Sequence, residues 1–153
     1  MKNLILLFCL FLGSIALSQD ISFDNGTYTK NQSAYTGKHI LYYANGAVKE
    51  ELTIKDGKLD GESVKYYQNG QKMEVGQYES NLKFGLWTRF NTSGAVIAEA
   101  RYKSDKKDGV WMVYDDKGTK LFEMQYKDGE KVGTWTQWDE SGAVVKTTDY
   151  ASM

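Results

Sequence analysis

Apolar and polar residues alternate along short segments of the chain, and a glycine interrupts the pattern every nine to fifteen residues between Gly37 and Gly142. In one such segment Val110, Met112 and Tyr114 occupy alternate positions. A period of two is typical of strands, whose successive side chains point to opposite faces. The frequent glycines disfavour helix, so the sequence predicts an all-β chain of many short strands. The absence of proline and the aromatic content of 14% agree with this prediction.

The pattern repeats every 24 residues, five times and without an insertion. Two glycine columns, nine residues apart, and two aromatic columns define the repeat. The first glycine column comprises Gly37, Gly61, Gly85, Gly109 and Gly133, and the second comprises Gly46, Gly70, Gly94, Gly118 and Gly142. The first aromatic column comprises Tyr42, Tyr66, Phe90, Tyr114 and Trp138; the second comprises Tyr78, Tyr102, Tyr126 and Tyr150, with Ile54 at the equivalent position of the first repeat. Four columns in phase indicate a repeat array.

Each repeat contains the signature of a β-hairpin. Asn45-Gly46 and Asn69-Gly70 follow strand-like segments, and both residues of an Asn-Gly pair tolerate positive φ. The other three repeats keep the glycine, which suits a hairpin loop that ends in a left-handed residue. A second turn must join successive hairpins, and the column 20 residues after the first glycine contains residue types that accept left-handed geometry, namely Gly57, Asn81, Asp105 and Gly129.

These observations predict an elongated single-sheet meander of five β-hairpins, over residues 37–60, 61–84, 85–108, 109–132 and 133–153. Ten strands at about 4.8 Å spacing give a sheet roughly 45–50 Å long. Residues 19–34 form an incomplete unit, and we interpret them as an N-terminal cap. Because the period is even, each column stays on one face, and one face is expected to be better buried than the other.

The first residues do not belong to the array. Lys2 precedes an apolar stretch, and Ala16-Leu17-Ser18 forms a cleavage site, so residues 1–18 are expected to be a signal peptide. A membrane anchor or buried helix is the alternative, but the stretch falls short of the roughly 20 apolar residues that span a bilayer. Cys9 follows a phenylalanine rather than a small residue, which disfavours lipidation. We expect an exported protein, periplasmic or secreted, whose mature chain has no cysteine.

Charge and composition exclude several functions. Without Lys2 the chain carries 18 basic and 20 acidic residues, with no clustered basic footprint, which disfavours nucleic-acid binding. The glycines lie at hairpin turns with no helix to follow, so they form no phosphate-binding loop. We therefore expect no cofactor.

Candidate chemistry is sparse. His39 is the single histidine, and no nucleophile or orienting carboxylate is identifiable beside it. Glu51, Glu99 and Glu123 share a column that Val75 interrupts. Equivalent residues of adjacent hairpins lie roughly 9–10 Å apart, too far to share a calcium ion, although some glycosidases use carboxylates roughly 5–9.5 Å apart. A structural role for the glutamates is favoured, and we expect no catalytic residue and no metal site.

The best candidate binding surface is a column of tryptophans, Trp87, Trp111 and Trp135. Tryptophans on an open sheet face can stack on sugar rings or anchor a peptide. The alternative is that they pack on their neighbours and hold the array together, and the two roles can coexist.

Three segments carry a family resemblance, Gly85-Leu86-Trp87-Thr88-Arg89-Phe90, Gly109-Val110-Trp111-Met112-Val113-Tyr114 and Gly133-Thr134-Trp135-Thr136-Gln137-Trp138. With Tyr43-Ala44-Asn45-Gly46 and Tyr67-Gln68-Asn69-Gly70, this pattern resembles the variant MORN repeat of bacterial proteins, often labelled YwqK-like antitoxins. The resemblance covers about residues 35–150. His39 and Ser63 replace the tryptophan in the first two repeats.

Together these features predict a non-catalytic exported scaffold that binds a protein or another macromolecule through an open sheet face. An immunity or antitoxin-like protein is the alternative that the resemblance implies, although export conflicts with a cytoplasmic toxin. Attachment to cell-wall glycan or a lipid surface is a further alternative. The sequence does not identify the partner.

Overall fold

The computed structural model describes residues 21–150, and this part of the chain is all-β and contains no helix. Accordingly, it has no helix long and apolar enough to cross a membrane. The predicted signal peptide lies outside the described residues. The thirteen strands are β1 (Ser22–Asp24), β2 (Thr27–Lys30), β3 (Ser33–Ala34), β4 (Gly37–Tyr42), β5 (Val48–Lys55), β6 (Lys58–Tyr66), β7 (Lys72–Glu79), β8 (Leu82–Phe90), β9 (Val96–Lys103), β10 (Lys106–Tyr114), β11 (Lys120–Lys127), β12 (Glu130–Trp138) and β13 (Val144–Tyr150).

Strands β4 to β13 form one ten-stranded antiparallel sheet in which every strand pairs with its neighbours in sequence. This confirms the predicted meander of five hairpins. Strands β6, β8, β10 and β12 begin three residues before the first glycine column, whereas the sequence placed their start at about the glycine. The extra residues belong to these strands because the turns joining successive hairpins are only two residues long.

Two turn types alternate along the sheet, and each has its own residue chemistry. In the turn inside each hairpin, only the second-column glycine is left-handed, with φ between 82° and 87°, and its amide donates to the carbonyl three residues earlier. Asn45 and Asn69 are therefore not left-handed, contrary to the expectation for an Asn-Gly pair; their Oδ1 atoms instead accept from the amides of Ala47 and Gln71. Between hairpins, both turn residues have positive φ, as at Asp56 and Gly57. The left-handed column Gly57, Asn81, Asp105 and Gly129 is thus confirmed.

The first glycine column lies in bulges of the sheet. At Gly61, the five residues of β6 from Leu59 to Ser63 face the three residues of β5 from Leu52 to Ile54, and the same shift recurs at Gly85, Gly109 and Gly133. All four glycines have positive φ, which other residues adopt at a cost of roughly 1–2 kcal/mol. Because each bulge adds an even number of residues, it leaves the two faces of the sheet unmixed.

The pairing registers assign every column to one face. We call the side that carries the tryptophans the aromatic face; across the sheet it presents His39, Leu52, Ser63, Gly76, Trp87, Ala100, Trp111, Met124, Trp135 and Thr148. The opposite face presents Ile40, Glu51, Val64, Val75, Thr88, Glu99, Met112, Glu123, Thr136 and Thr147.

The aromatic face is the better-covered side of the sheet. Of the buried apolar residues, Leu52, Ile54, Trp87 and Tyr126 all belong to it, whereas Val64 lies on the opposite face. On the opposite face Ile40, Tyr42 and Leu86 remain exposed. The sequence predicted the tryptophan face to be the open face of the sheet, and this expectation was wrong for its N-terminal part, because the small sheet of β1 to β3 packs over it.

The segment expected to act as a cap forms a separate three-stranded sheet, β1 to β3, against the first repeats. The Tyr28 amide donates to the Gly57 carbonyl, and the Gly57 amide donates to the Tyr35 carbonyl. The Asn81 side chain donates to the Gly26 carbonyl, and the Tyr28 ring lies 6.0 Å from His39. These contacts place the small sheet over the N-terminal end of the aromatic face, where Ile54 and Ser63 are almost completely buried.

Candidate binding surface

A continuous ladder of seven aromatic rings runs along the aromatic face. Tyrosine and tryptophan alternate because the second aromatic column and the tryptophan column lie side by side on adjacent strands. Neighbouring ring centroids are 4.8–6.3 Å apart, in the order Tyr78, Trp87, Tyr102, Trp111, Tyr126, Trp135 and Tyr150. Three of the six pairs are edge-on, a geometry that aromatic rings prefer, and three are tilted; an edge-on pair adds about 0.5–1.5 kcal/mol beyond its burial. The ladder therefore joins repeats that would be marginal as single hairpins.

A column of lysines covers the tryptophans, and the sequence analysis did not identify it as a unit. The Nζ atom of Lys83 lies 3.8 Å from the Trp87 ring centroid, that of Lys107 lies 3.9 Å from Trp111, and that of Lys131 lies 4.6 Å from the ring of Trp135. Each ammonium also approaches a tyrosine of the ladder, at 4.7–5.2 Å. These cation–π contacts place a row of positive charges along the ladder. The 24-residue spacing of the three lysines is the sequence signal that could have revealed them.

Small residues beneath the tryptophans determine how deeply the rings sink. A Cβ atom on Gly76 would lie 2.1 Å from the Trp87 ring, so the indole rests directly on the Gly76 backbone. Trp87 is only 3% exposed as a result. In the preceding repeat the sizes are exchanged, with Leu52 in the glycine column and Ser63 in the tryptophan column. The missing tryptophan there is therefore compensated by a larger neighbour.

The indole N–H groups of two tryptophans have backbone partners. Trp87 donates to the Gln77 carbonyl at 3.2 Å, and Trp135 donates to the Gln125 carbonyl at 3.0 Å. The buried Nε1 atom of Trp111 has no hydrogen-bond partner among the described residues.

The three predicted binding residues thus differ in accessibility. Trp87 is buried and packs within the ladder, while Trp111 and Trp135 are half-buried. The structural role that was the alternative applies directly to Trp87. A binding role for the column remains a prediction, and it rests on the two more accessible rings and on the residues that surround them.

The aromatic face contains two hollows. The larger, of about 330 Å³, opens above Ala98 and Ala100 and is walled by Trp87, Tyr102 and Trp111. The charged residues that also line it on this face are Glu74, Lys83 and Arg89. Space is available there because Ala98 is the smallest residue of its column, which holds Glu, Phe or Lys in the other repeats, and Ala100 is also small. A smaller hollow of about 140 Å³ near the C-terminal edge is lined by Phe122, Met124, Trp135, Gln137, Lys146 and Tyr150. The first is within the usual size range of small-ligand sites, which begins at roughly 300 Å³.

A row of charges on the aromatic face changes character along the sheet. In the first repeats the row is Glu50, Lys65, Glu74 and Arg89, directly paired across strands, with Lys65 Nζ 3.8 Å from a Glu50 carboxylate oxygen and 4.0 Å from one of Glu74. The same row continues as Ala98, Val113, Phe122, Gln137 and Lys146. The carboxylates are thus confined to the capped end, and an apolar strip takes their place beyond it.

The glutamate column lies on the opposite face and is engaged in structural contacts. The Tyr66 hydroxyl donates to Glu51 at 3.1 Å, and the Tyr114 hydroxyl donates to Glu99 at 3.0 Å. Burial and these carboxylates raise the pKa of both tyrosines. Where Val75 interrupts the column, the aromatic residue 15 positions later is Phe90, which has no hydroxyl. Donor and acceptor are therefore present together or absent together.

The last glutamate of the column has a different partner. Glu123 would face the hydroxyl of a tyrosine at position 138, but tryptophan stands there. The Lys120 ammonium supplies the missing donor, at 2.7 Å from Glu123, and also lies 5.0 Å from the Trp138 ring centroid. The glutamates are thus held by single hydroxyl or ammonium donors, an arrangement that suits structural partners.

His39 lies at the capped end of the aromatic face, close to Tyr28. Across residues 21–150, no group of three or more His, Cys, Asp or Glu side chains is arranged to hold a metal ion.

The fold and the ring ladder define an array of antiparallel β-hairpin repeats. Three segments, residues 35–56, 59–80 and 107–128, match a family model described as MORN repeat variant. The chain is therefore similar to this family over three of its five repeats, and the variant-MORN resemblance is confirmed there.

No curated protein shows a significant match to the chain. Among solved structures, one similar chain comes from the structure titled "Crystal structure of GtfA/B complex bound to UDP and GlcNAc", with 13% sequence identity and a TM-score of 0.32. The alignment covers 93% of the present chain and 29% of the other, so this chain spans less than a third of that protein.

Proposed function

We propose that the protein is a non-catalytic exported scaffold that binds another macromolecule on the uncapped half of its aromatic face, strands β9 to β13. The observation that carries this proposal is the pair of hollows beside an apolar strip, on the part of the aromatic face that no second layer within residues 21–150 covers. MORN repeats typically serve in binding or as scaffolds, which agrees with this role.

The electrostatic asymmetry of the face supports a defined site. At the capped end, carboxylates and basic groups pair with one another in the row from Glu50 to Arg89. In the uncapped half, half-buried Val113 and Phe122 continue that row. Apolar groups held at a solvent-facing surface between charged rows are typical of interaction sites.

Two matched substitutions test the proposed surface. The Phe122→Glu substitution introduces a glutamate on the aromatic face. Glu50 and Glu74 occupy the same column in earlier repeats, so the fold should accept glutamate there. Phe84→Asp places a carboxylate on the opposite face, where Asp60 and Asp108 occupy the same column. Wild type and both variants serve as bait in envelope and culture-supernatant extracts, and bound proteins are identified by mass spectrometry.

We expect the Phe122→Glu variant to lose a partner that wild type and Phe84→Asp both retain. Equal capture by all three proteins would show that the uncapped aromatic face is not the binding surface. If the captured partner is a toxin domain, the result favours the alternative of an immunity or antitoxin-like protein.

Export is part of the same proposal. The mass of the protein recovered outside the cytoplasm should correspond to a chain that begins at Gln19, without lipid. Recovery of the full-length chain from the cytoplasm would show that the protein is not exported.

A further inference from the structure

We infer that the uncapped aromatic face binds an extended acidic peptide segment of a partner protein, in which carboxylates three residues apart meet the lysine column and apolar side chains enter the two hollows. This inference rests on the proposed function and specifies the chemistry of the partner.

The uncapped face has a single sign of charge. On strands β9 to β13 the pairing registers place Lys107, Lys131 and Lys146 on the aromatic face, and they place no Asp or Glu there within the described chain. The acidic residues of these strands lie on the opposite face; Glu99 and Glu123 bind Tyr114 and Lys120 there, and Asp149 pairs in register with Thr134. An anionic ligand is therefore attracted to strands β9 to β13. The one carboxylate of this face that lines the larger hollow, that of Glu74 on β7, is paired with Lys65.

The lysines also have a fixed spacing. Lys83, Lys107 and Lys131 belong to every second strand, so their Cα atoms are separated by about two strand spacings, roughly 9–10 Å. An extended peptide advances roughly 3.3 Å per residue. A peptide that crosses the strands along the lysine column would therefore present a carboxylate to each lysine when its acidic residues are three positions apart.

The hollows favour a peptide over a purely polar polyanion. The larger hollow has an apolar floor at Ala98 and Ala100, and Val113 adds an aliphatic wall. The smaller hollow is lined in part by Phe122 and Met124. Side chains such as leucine or valine remove apolar area from water when they enter such spaces, which a polyanion without apolar groups cannot do.

The lysine ammonium groups remain available although they contact the tryptophan rings. Lys131 is exposed, and Lys83 and Lys107 are half-buried. An ammonium has three donors, and a ring face below it occupies one side only. The cation–π contacts thus hold the charges in fixed positions without saturating them.

The test measures fluorescence anisotropy of labelled synthetic peptides with the purified protein at low salt. The first peptide carries glutamates at every third position with leucine and valine between them. The second has the same composition with its glutamates clustered together, and the third replaces glutamate by glutamine. A negatively charged oligogalacturonate serves as the non-peptide polyanion.

We expect the first peptide to bind most tightly and added salt to weaken it. The double substitution Lys107→Gln and Lys131→Gln should lower affinity about fivefold to tenfold, the range expected for two exposed ion pairs. The matched pair Lys103→Gln and Lys106→Gln removes two exposed lysines that lie outside the aromatic-face column, and it should leave affinity unchanged. The double substitution Lys107→Arg and Lys131→Arg keeps both charges and should bind as the wild type does, which separates loss of charge from loss of fold.

Equal affinity for the spaced and clustered peptides, or for the oligogalacturonate, would overturn the inference. The proposed function can fail separately: if no peptide binds while Phe122→Glu still abolishes partner capture, the surface is correct and its ligand class is wrong. If Phe122→Glu captures the partner normally, the proposed surface itself is wrong.

Discussion

Replacement of Gly76 by alanine tests whether the tryptophan ladder sets the packing of the array. Gly76 is a strand residue without positive φ, so alanine is allowed by the backbone and would ordinarily stabilise a strand by about 0.5–1 kcal/mol. The new Cβ atom, however, would lie 2.1 Å from Cδ2, 2.3 Å from Cε2 and 2.6 Å from Cε3 of Trp87. The ring must move, because all three of these atoms belong to the indole of Trp87.

The expected magnitude follows from the cost of overpacking. Inserting a methyl group into a close-packed site costs about 1–3 kcal/mol, and complete loss of a buried tryptophan costs about 3–5 kcal/mol. After subtraction of the gain in strand propensity, we expect Gly76→Ala to lower the free energy of unfolding by about 1–2 kcal/mol. Guanidinium unfolding, followed by circular dichroism and tryptophan fluorescence, measures this change.

A size exchange provides the control. Gly76→Leu combined with Trp87→Ser reproduces the Leu52–Ser63 pair of the preceding repeat. The double variant should therefore be more stable than Gly76→Leu alone, with a favourable coupling energy in the double-mutant cycle. If Gly76→Ala is as stable as wild type, or if the double variant shows no coupling, the contact between the indole and the backbone does not determine the packing.

Four further outcomes are expected. Tyr114→Phe should destabilise the protein by about 0.5–1.5 kcal/mol by leaving Glu99 without its donor, and adding Glu99→Val should recover most of the loss in thermal unfolding. Burial raises the pKa of Tyr78 from 10.0 to about 12. The neutral phenol therefore contributes its full stability below pH 10, and this contribution falls between pH 10 and 12. In urea titrations, Tyr78→Phe should remove the part of the fall in unfolding free energy at alkaline pH that comes from this residue. Phe84→Asp should leave the melting temperature unchanged or raise it, because Asp60 and Asp108 accept backbone amides from the same column; a clear fall would mean that Phe84 is structural. Asp105→Ala should lower the free energy of unfolding by about 1–2 kcal/mol, since it places alanine at φ 65° and removes the acceptor for the Lys83 amide. Calorimetry should show almost no change for Asp105→Asn, because asparagine accepts positive φ and keeps an acceptor oxygen.

The sequence was sufficient for the fold because its signals are local and repeated. Left-handed turn columns such as Asn81 and Asp105 could be recognised from residue type alone, since few residues accept positive φ. Alternation with a period of two then assigned each column to a face, and constant spacing made the meander the simplest arrangement. The only turn detail that failed was at Asn45 and Asn69, where a longer turn uses the asparagine side chain as an acceptor.

The candidate site was only partly predictable. The tryptophan column was visible in the sequence, but the burial of Trp87 depends on Gly76 in the preceding strand, and the cover over the first repeats depends on contacts of Tyr28 and Gly26 with distant turns. The positions of Lys83 and its equivalents depend on the bulges that bring each strand start over the ladder. Period and turn chemistry are properties of short segments, so the sequence by itself determined the hairpins and their order. The tertiary structure decided which face is covered and where it stays open, because coverage arises from side chains that meet only after strands from different repeats have paired.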